Sequence, residues 1–133
     1  MLQKLNSRRG GFTLVEIMIV VAIIALLASI AVPNFLRARK RSQATVALQE
    51  IRQMSSAADQ WAIEKNKKDA DTPTWLDLKG YIKETTALYA AGGNDSQGNA
   101  FVYKAVSAGG VALDPNTKSA FSDVTDAAFW SPY

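Results

Sequence analysis

The chain has 133 residues, 48% of them hydrophobic, and carries a formal net charge of +3. It contains no cysteine and no histidine, which excludes disulfides and removes the thiol nucleophile, the commonest general base and the usual zinc ligands. We therefore expect neither an enzyme nor a cofactor. The length allows one small globular domain beside a membrane segment.

The positive charge belongs to the N-terminal part of the chain. Lys4, Arg8 and Arg9 lie within the first eleven residues, whereas residues 42–133 contain eight basic and eleven acidic residues, a net charge of −3. A globular head of this charge is not expected to bind nucleic acid by itself.

A long apolar segment dominates the N-terminal third of the chain. Residues 12–36 are mostly apolar, and within residues 17–32 the single polar side chain is Ser29. A bilayer core needs about 20 helical residues, so this segment is long enough to span a membrane. Glu16 lies at its start.

Four basic residues follow the apolar segment: Arg37, Arg39, Lys40 and Arg41. They have three candidate roles, which are anchoring at lipid headgroups, ion pairing with the acidic residues of another copy of the chain, and nucleic-acid contact. Anchoring comes first, because basic residues at the end of a span are the ordinary case.

Residues 1–11 are short, polar and basic, which is typical of the first region of an export signal. Two cleavage positions are open. Small residues at Ser29 and Ala31 would allow an ordinary cut after Ala31, whereas the pair Gly10 and Gly11 favours a cut before the apolar segment.

Thr13 and Glu16 have the spacing of a capping box, in which the carboxylate satisfies backbone amides at a helix start. A second interpretation is also open. A carboxylate beside hydrocarbon is costly, about 2.5 to 3.5 kcal/mol at the bilayer centre, and usually marks a charged partner.

Pro33 lies inside the helical pattern, where proline removes a backbone hydrogen bond and clashes with the preceding turn. We expect a kink or a locally unwound stretch around residues 29–33. A proline that has no functional role in a membrane helix is the alternative.

The second half of the helix has an apolar stripe at spacings of three and four residues, which predicts an amphipathic helix packed on a core. The stripe consists of Ala44, Leu48, Ile51, Met54, Ala58 and Trp61. A continuous helix from Phe12 to about Lys65 is expected, with a polar loop over residues 66–74.

In the rest of the head, the sequence pattern predicts short helices and strands. Thr74 and Asp77 form a second candidate capping box, with Gly80 as the helix stop, and residues 81–89 are ambiguous between strand and helix. Residues 90–99 form a loop, and residues 100–106 are the best strand, turned by two glycines toward a shorter strand over residues 111–113.

After these strands the pattern predicts a turn at residues 114–116 and an aromatic C-terminal segment laid back onto the sheet. Asp114, Asp123 and Asp126 could supply oxygen ligands for calcium, but their spacing matches no EF-hand. Solvated turn carboxylates, and hence no metal site, are the preferred interpretation.

The segment RGGFTLVEIMIVVAIIALLASIAVPNF resembles the leader junction and N-terminal helix of the type IV pilin and type II secretion pseudopilin superfamily. The resemblance rests on basic residues before Gly11, on Phe12 as first mature residue, on Glu16 at the fifth mature position and on Pro33 at the twenty-second. It implies cleavage before Phe12 and N-methylation of that residue by prepilin peptidase. It also implies that Glu16 of one subunit neutralises the Phe12 amine of another.

The resemblance implies an α+β fold in which a long N-terminal helix, half membrane segment and half amphipathic, packs on a small antiparallel sheet. The expected organisation is a leader of residues 1–11, an apolar helix of residues 12–41 and a head of residues 42–133. A homo-oligomeric filament is implied, with the inner membrane and the pilus or secretion machinery as partners, and with nucleic acid contacted at most through the assembled filament.

Two functional classes stay open. The first is a filament subunit, either a type IV pilin, which is preferred, or a type II secretion pseudopilin in a periplasmic pseudopilus. The second is a membrane-tethered binding module that does not polymerise. The filament interpretation is favoured because a tether requires neither a charge at Glu16 nor an anchor that continues as an amphipathic helix.

Overall fold

The structure of the chain is a computed structural model that describes residues 10–133. Most of the predicted leader, residues 1–9, lies outside the described residues. The chain divides into a unit that ends at Leu36 and a second unit, Arg37–Tyr133. Helix α1, Leu14–Glu64, contributes residues to both units, and its bounds agree with the helix predicted from residue 12 to about residue 65.

The first part of α1 is helical throughout residues 14–36. Of the two alternatives predicted around residues 29–33, local unwinding is therefore wrong, whereas a kink stays a prediction. Pro33 lies within the helix, where its missing N–H removes the hydrogen bond to the carbonyl of Ser29. One missing bond does not unwind the backbone, because the neighbouring residues keep helical geometry.

The second part of α1 buries the predicted apolar stripe. All six stripe residues are less than 9% exposed, and they form one core cluster with residues from the rest of the head. Ala47, Ala57 and Glu50 are also buried. The buried face of α1 is therefore wider than the predicted stripe.

A loop follows α1, and Asn66 adopts a left-handed backbone conformation there, with φ of 48°. Thr74 is the N-cap of helix α2, Trp75–Leu78, as predicted. The Asp77 carboxylate accepts hydrogen bonds from the Thr74 backbone N–H at 2.9 Å and from the Thr74 hydroxyl at 2.6 Å.

Gly80 is not the stop that the sequence predicted. It lies inside a 3₁₀ turn, Lys79–Tyr81, that continues directly from α2. The ambiguous stretch ends in helix α3, Ala87–Ala90, whose first turn is capped by the Thr86 hydroxyl. The hydroxyl accepts a hydrogen bond from the Tyr89 backbone N–H at 3.3 Å. Residues 87–89 of the ambiguous stretch are therefore helical, and residues 82–86 are neither helix nor strand.

The sheet has two short antiparallel strands, β1 (Val102–Tyr103) and β2 (Val111–Ala112). Val102 is paired with Ala112, and Tyr103 with Val111. Two glycines before β2 have positive φ, 90° at Gly109 and 68° at Gly110, as the predicted turn requires.

Strand β1 is shorter than the predicted strand of residues 100–106. The reason is that the backbone after it bonds elsewhere. The N–H of Val106 donates to the Asp71 carbonyl at 2.9 Å, and the N–H of Ser107 donates to the Asp69 carbonyl at 3.0 Å. These bonds hold a 3₁₀ turn, Val106–Ala108, against the loop that follows α1.

The turn predicted at residues 114–116 is instead the start of helix α4, Pro115–Ala120. The Asp114 carboxylate accepts a hydrogen bond from the Asn116 backbone N–H at 2.7 Å, and proline fits the first helical position. The chain then forms a 3₁₀ turn, Ala127–Trp130. The aromatic side chains of Phe121 and Trp130 are buried in the core.

The head therefore has the predicted α+β fold, in which a long N-terminal helix packs on a small antiparallel sheet. The core cluster joins the apolar face of α1 to buried residues in or next to α2, α3 and the two strands, and to the C-terminal segment. Those residues are Leu78, Ile82, Leu88, Phe101, Val111, Leu113, Phe121 and Trp130.

Candidate assembly interface

The predicted cleavage junction lies just before α1. Residues 10–13 have no regular secondary structure, and Phe12 is 85% exposed. A Cβ added to Gly10 or Gly11 would meet no atom within 4 Å. The fold of the chain therefore leaves room for a larger residue than glycine at position 11.

Thr13 and Glu16 form the predicted capping box. The Glu16 carboxylate accepts hydrogen bonds from the Thr13 backbone N–H and from the Thr13 hydroxyl, both at 2.7 Å. In return, the Glu16 backbone N–H donates to the Thr13 hydroxyl oxygen at 3.2 Å. The cap is complete within one chain, and pairing of Glu16 with a neighbouring chain stays a prediction.

The apolar segment carries its hydrophobic side chains on its surface. Ile17, Met18, Ile19 and Val20 are each between 49% and 63% exposed. Consecutive helical positions point about 100° apart, so four exposed residues in a row make the surface apolar around the whole helix. Among the described residues, α1 is the helix that is long and apolar enough to cross a membrane.

One member of the basic cluster has an ion-pair partner within its own chain. The Lys40 ammonium donates a hydrogen bond to the Asp123 carboxylate at 2.8 Å, with both side chains about half exposed. This bond, and more weakly the charge of Arg37, lower the pKa of Asp123. Arg39 and Arg41 are exposed on α1.

The three aspartates considered as candidate calcium ligands have separate roles. Asp114 caps α4, Asp123 pairs with Lys40, and Asp126 accepts a hydrogen bond from the Phe129 backbone N–H at 2.9 Å. Within residues 10–133 no group of three or more histidine, cysteine or acidic side chains could hold a metal ion. The geometry does not bring these carboxylates together.

Sequence reasoning missed a buried polar cluster in the head. Glu50 and Asp95 are only 8% and 3% exposed, and the fully buried Thr117 lies beside Asp95. One signal was present in the sequence. Glu50 lies three residues after Ala47 and four before Met54, which places it on the apolar face of α1.

The chain matches a family model in its N-terminal part and a known protein over most of its length. A family model described as the prokaryotic N-terminal methylation motif matches residues 6–32. The chain is 30% identical over 125 residues to the type IV major fimbrial protein of Dichelobacter nodosus, covering 94% of this chain and 73% of that protein. No solved structure gave a significant match.

Other relatives match mainly the N-terminal part. The type IV major pilin protein of Myxococcus xanthus is 42% identical over 64 residues, 48% of this chain and 29% of that protein. The type II secretion system core protein G of Pectobacterium carotovorum is 37% identical over 60 residues, 45% of this chain and 38% of that protein. The chain thus spans between about a third and three quarters of these relatives. Both the motif and the near full-length match confirm the resemblance seen in the sequence, and the chain belongs to the superfamily of type IV pilins and type II secretion pseudopilins.

Proposed function

We propose that this chain is a structural subunit of a type IV pilus-like filament that polymerises through residues 12–36. The observation that supports this most strongly is the apolar surface around the first part of α1. Burying apolar surface contributes about 25 cal/mol per Å², so this segment requires lipid before assembly and other apolar helices after it. Copies of the same segment supply such helices in a filament.

We further propose that prepilin peptidase cuts between Gly11 and Phe12 and that the new Phe12 amine is methylated. The match of residues 6–32 to the methylation motif supports this. The junction also lies in irregular backbone before the helix, where a protease can bind an extended peptide.

In the assembled filament, Glu16 neutralises the Phe12 amine of a neighbouring subunit. A carboxylate and an ammonium that enter an apolar bundle together avoid the cost of burying either charge alone. Pro33 contributes to assembly by removing one backbone hydrogen bond from the helix that must pack among its copies. The assembly unit is residues 12–41, and residues 42–133 form the displayed head.

The proposed location is the inner membrane before assembly, with the head outside the cytoplasm, and the filament afterwards. The partners are copies of this chain, the peptidase and the assembly machinery. A structural role rather than catalysis is supported by the absence of histidine and cysteine from the sequence.

A pilus subunit is preferred to a pseudopilin. The match to a fimbrial protein covers 94% of this chain, whereas the match to a secretion core protein covers 45%, which is mostly the shared helix. A pseudopilin is the second candidate, and a tethered module that does not polymerise is the third.

The test is to delete the gene in its own host and restore it with an epitope in the head. Sheared surface material is then examined by immunogold electron microscopy. Labelled filaments that disappear in the deletion strain support a pilus. Loss of protein secretion without any surface filament would instead support a pseudopilin. If the deletion changes neither surface filaments nor secretion, the tethered module is supported.

A further inference from the structure

Two buried carboxylates hold the 94–99 loop in place. The loop precedes the sheet, and its tip, residues 96–98, is exposed. Glu50 reaches it from α1, and Asp95 lies inside it. Both carboxylates are more than nine-tenths buried.

Asp95 closes the loop and ties it to α4. One carboxylate oxygen accepts hydrogen bonds from the backbone N–H groups of Gln97 and Asn99, both at 2.9 Å. The other oxygen accepts a hydrogen bond from the Thr117 hydroxyl. The Asn99 side-chain amide also donates to the Thr117 hydroxyl oxygen at 2.9 Å.

Glu50 ties the same loop to α1. Its carboxylate accepts a hydrogen bond from the Ser96 backbone N–H at 2.9 Å. The loop is therefore tied to two helices, to α1 through the bond between Ser96 and Glu50 and to α4 through the bond between Asp95 and Thr117. The loop has no other side-chain bonds to α1 or α4 among the described residues.

No cation offsets these two charges in the described part of the chain. Neither carboxylate has a lysine or arginine nitrogen within 4.0 Å, since the ion pairs found there are Lys40–Asp123 and Lys65–Glu64. The charged group that faces Glu50 from the loop is Asp95. From α4 the neighbouring group is the neutral Thr117, and the ammonium of Lys118 is bonded to the Tyr133 carbonyl.

We propose that Glu50 and Asp95 form a pH-sensitive latch, which holds the 94–99 loop more tightly in mild acid than at neutral pH. A protonated Glu50 keeps a carbonyl oxygen that accepts the Ser96 N–H. It also loses its repulsion with Asp95 and the cost of burying a charge.

The direction of the effect follows from the titration of Glu50. Burial raises the pKa of Glu50, the Ser96 N–H partly opposes this, and the charge of Asp95 adds to the rise. The pKa of Glu50 is therefore higher when the loop is closed than when it is open. Closing the loop then makes Glu50 take up a proton. The stabilisation is complete below the ordinary glutamate pKa and is lost as the pH rises through the raised value.

The latch acts on a surface that the head displays. Ser96, Gln97 and Gly98 are exposed, and their backbone is ordered by the two carboxylates. Mild acid therefore rigidifies this surface, and neutral pH loosens it.

The test uses the full-length chain in detergent micelles and measures amide hydrogen exchange of residues 94–99 across pH. Exchange rates are corrected for the intrinsic effect of pH on unprotected amides. Protection of the Ser96, Gln97 and Asn99 amides is expected to rise as the pH falls. The rise is about tenfold for each unit by which the pKa of Glu50 exceeds its ordinary value.

Two variants separate the latch from general acid effects. Glu50→Gln keeps the acceptor without the charge, so its loop protection should be high and independent of pH. Glu84→Gln, an exposed glutamate, is the matched control and should keep the wild-type slope.

Wild-type protection that is flat, or that rises with pH, would overturn the latch, as would a Glu50→Gln variant that keeps the wild-type slope. If the Glu50→Gln variant is not recovered folded, the wild-type slope decides the question by itself.

Discussion

The backbone of Gly110 lies directly against the side chain of Ala58. A Cβ added at Gly110 would lie 2.9 Å from the Ala58 Cβ, closer than two methyl groups can approach. Gly110 also has a φ of +68°, which favours glycine. The close approach brings the start of β2 onto the buried face of α1.

We expect Gly110→Ala to lower the free energy of unfolding by about 2 to 4 kcal/mol, because it combines a steric clash with left-handed strain. Gly109→Ala is the matched control. Gly109 has a φ of +90° but open space around it, so it should lose only about 1 to 2 kcal/mol from backbone strain. Urea unfolding of both variants measures the two changes in the free energy of unfolding. Equal changes would show that the contact with Ala58 does not contribute.

Residues 42–133 should fold as a soluble monomer when they are produced without the apolar segment. The buried residues of the core lie between Ala44 and Trp130, so the fragment keeps the core. In this part of the chain the large exposed hydrophobic side chains are Val46, Ile63 and Leu76, too few to drive assembly.

Analytical ultracentrifugation and circular dichroism test this expectation. The fragment loses the exposed Lys40–Asp123 ion pair, which contributes little in water. Filaments formed by the fragment would show that the head, rather than the apolar segment, drives polymerisation.

The mature chain is expected to begin at Phe12 with an N-methyl group. Intact-mass measurement of the membrane or filament fraction decides this, and a mature start at Val32 would establish an ordinary signal peptide instead. Because a Cβ at Gly11 meets no atom within 4 Å, Gly11→Val should fold normally and yet remain uncut. Gly10→Val, which is also free of contacts, is the control for added bulk near the junction.

Glu16→Gln separates the cap from the charge. Gln can also accept from the Thr13 N–H, so the helix start should survive. If Glu16 neutralises the Phe12 amine of a neighbour, however, filament yield should fall on the order of a hundredfold, because the ammonium is buried without its partner.

The measurement is the ratio of sheared filament to membrane-retained subunit, with processing checked by mass. Glu16→Ala is the comparison that loses both cap and charge. A wild-type yield from Glu16→Gln would leave Glu16 with the capping role alone, the contact that is already complete within one chain.

The sequence by itself determined the features that depend on nearby residues. The apolar segment, the capping boxes at Thr13 and Thr74 and the buried stripe of α1 were predicted correctly. The apolar segment follows from a continuous run of apolar residues. The capping boxes and the stripe depend on side chains three or four positions apart, which meet on one face of a helix in any fold. The helix start at Asp114 is also local, because an aspartate followed by proline is a sufficient signal for it, although the pattern also fits the turn that was predicted there.

Only the tertiary structure decided what residues far apart in sequence do to one another. Strand β1 ends after Tyr103 because the backbone at Val106 donates to a carbonyl 35 residues earlier, at Asp71. Glu50 is buried because the 94–99 loop, more than 40 residues later, covers it and donates the Ser96 N–H to it. No periodicity in the sequence records such pairings, since backbone hydrogen bonds and burial depend on which segments meet when the chain folds.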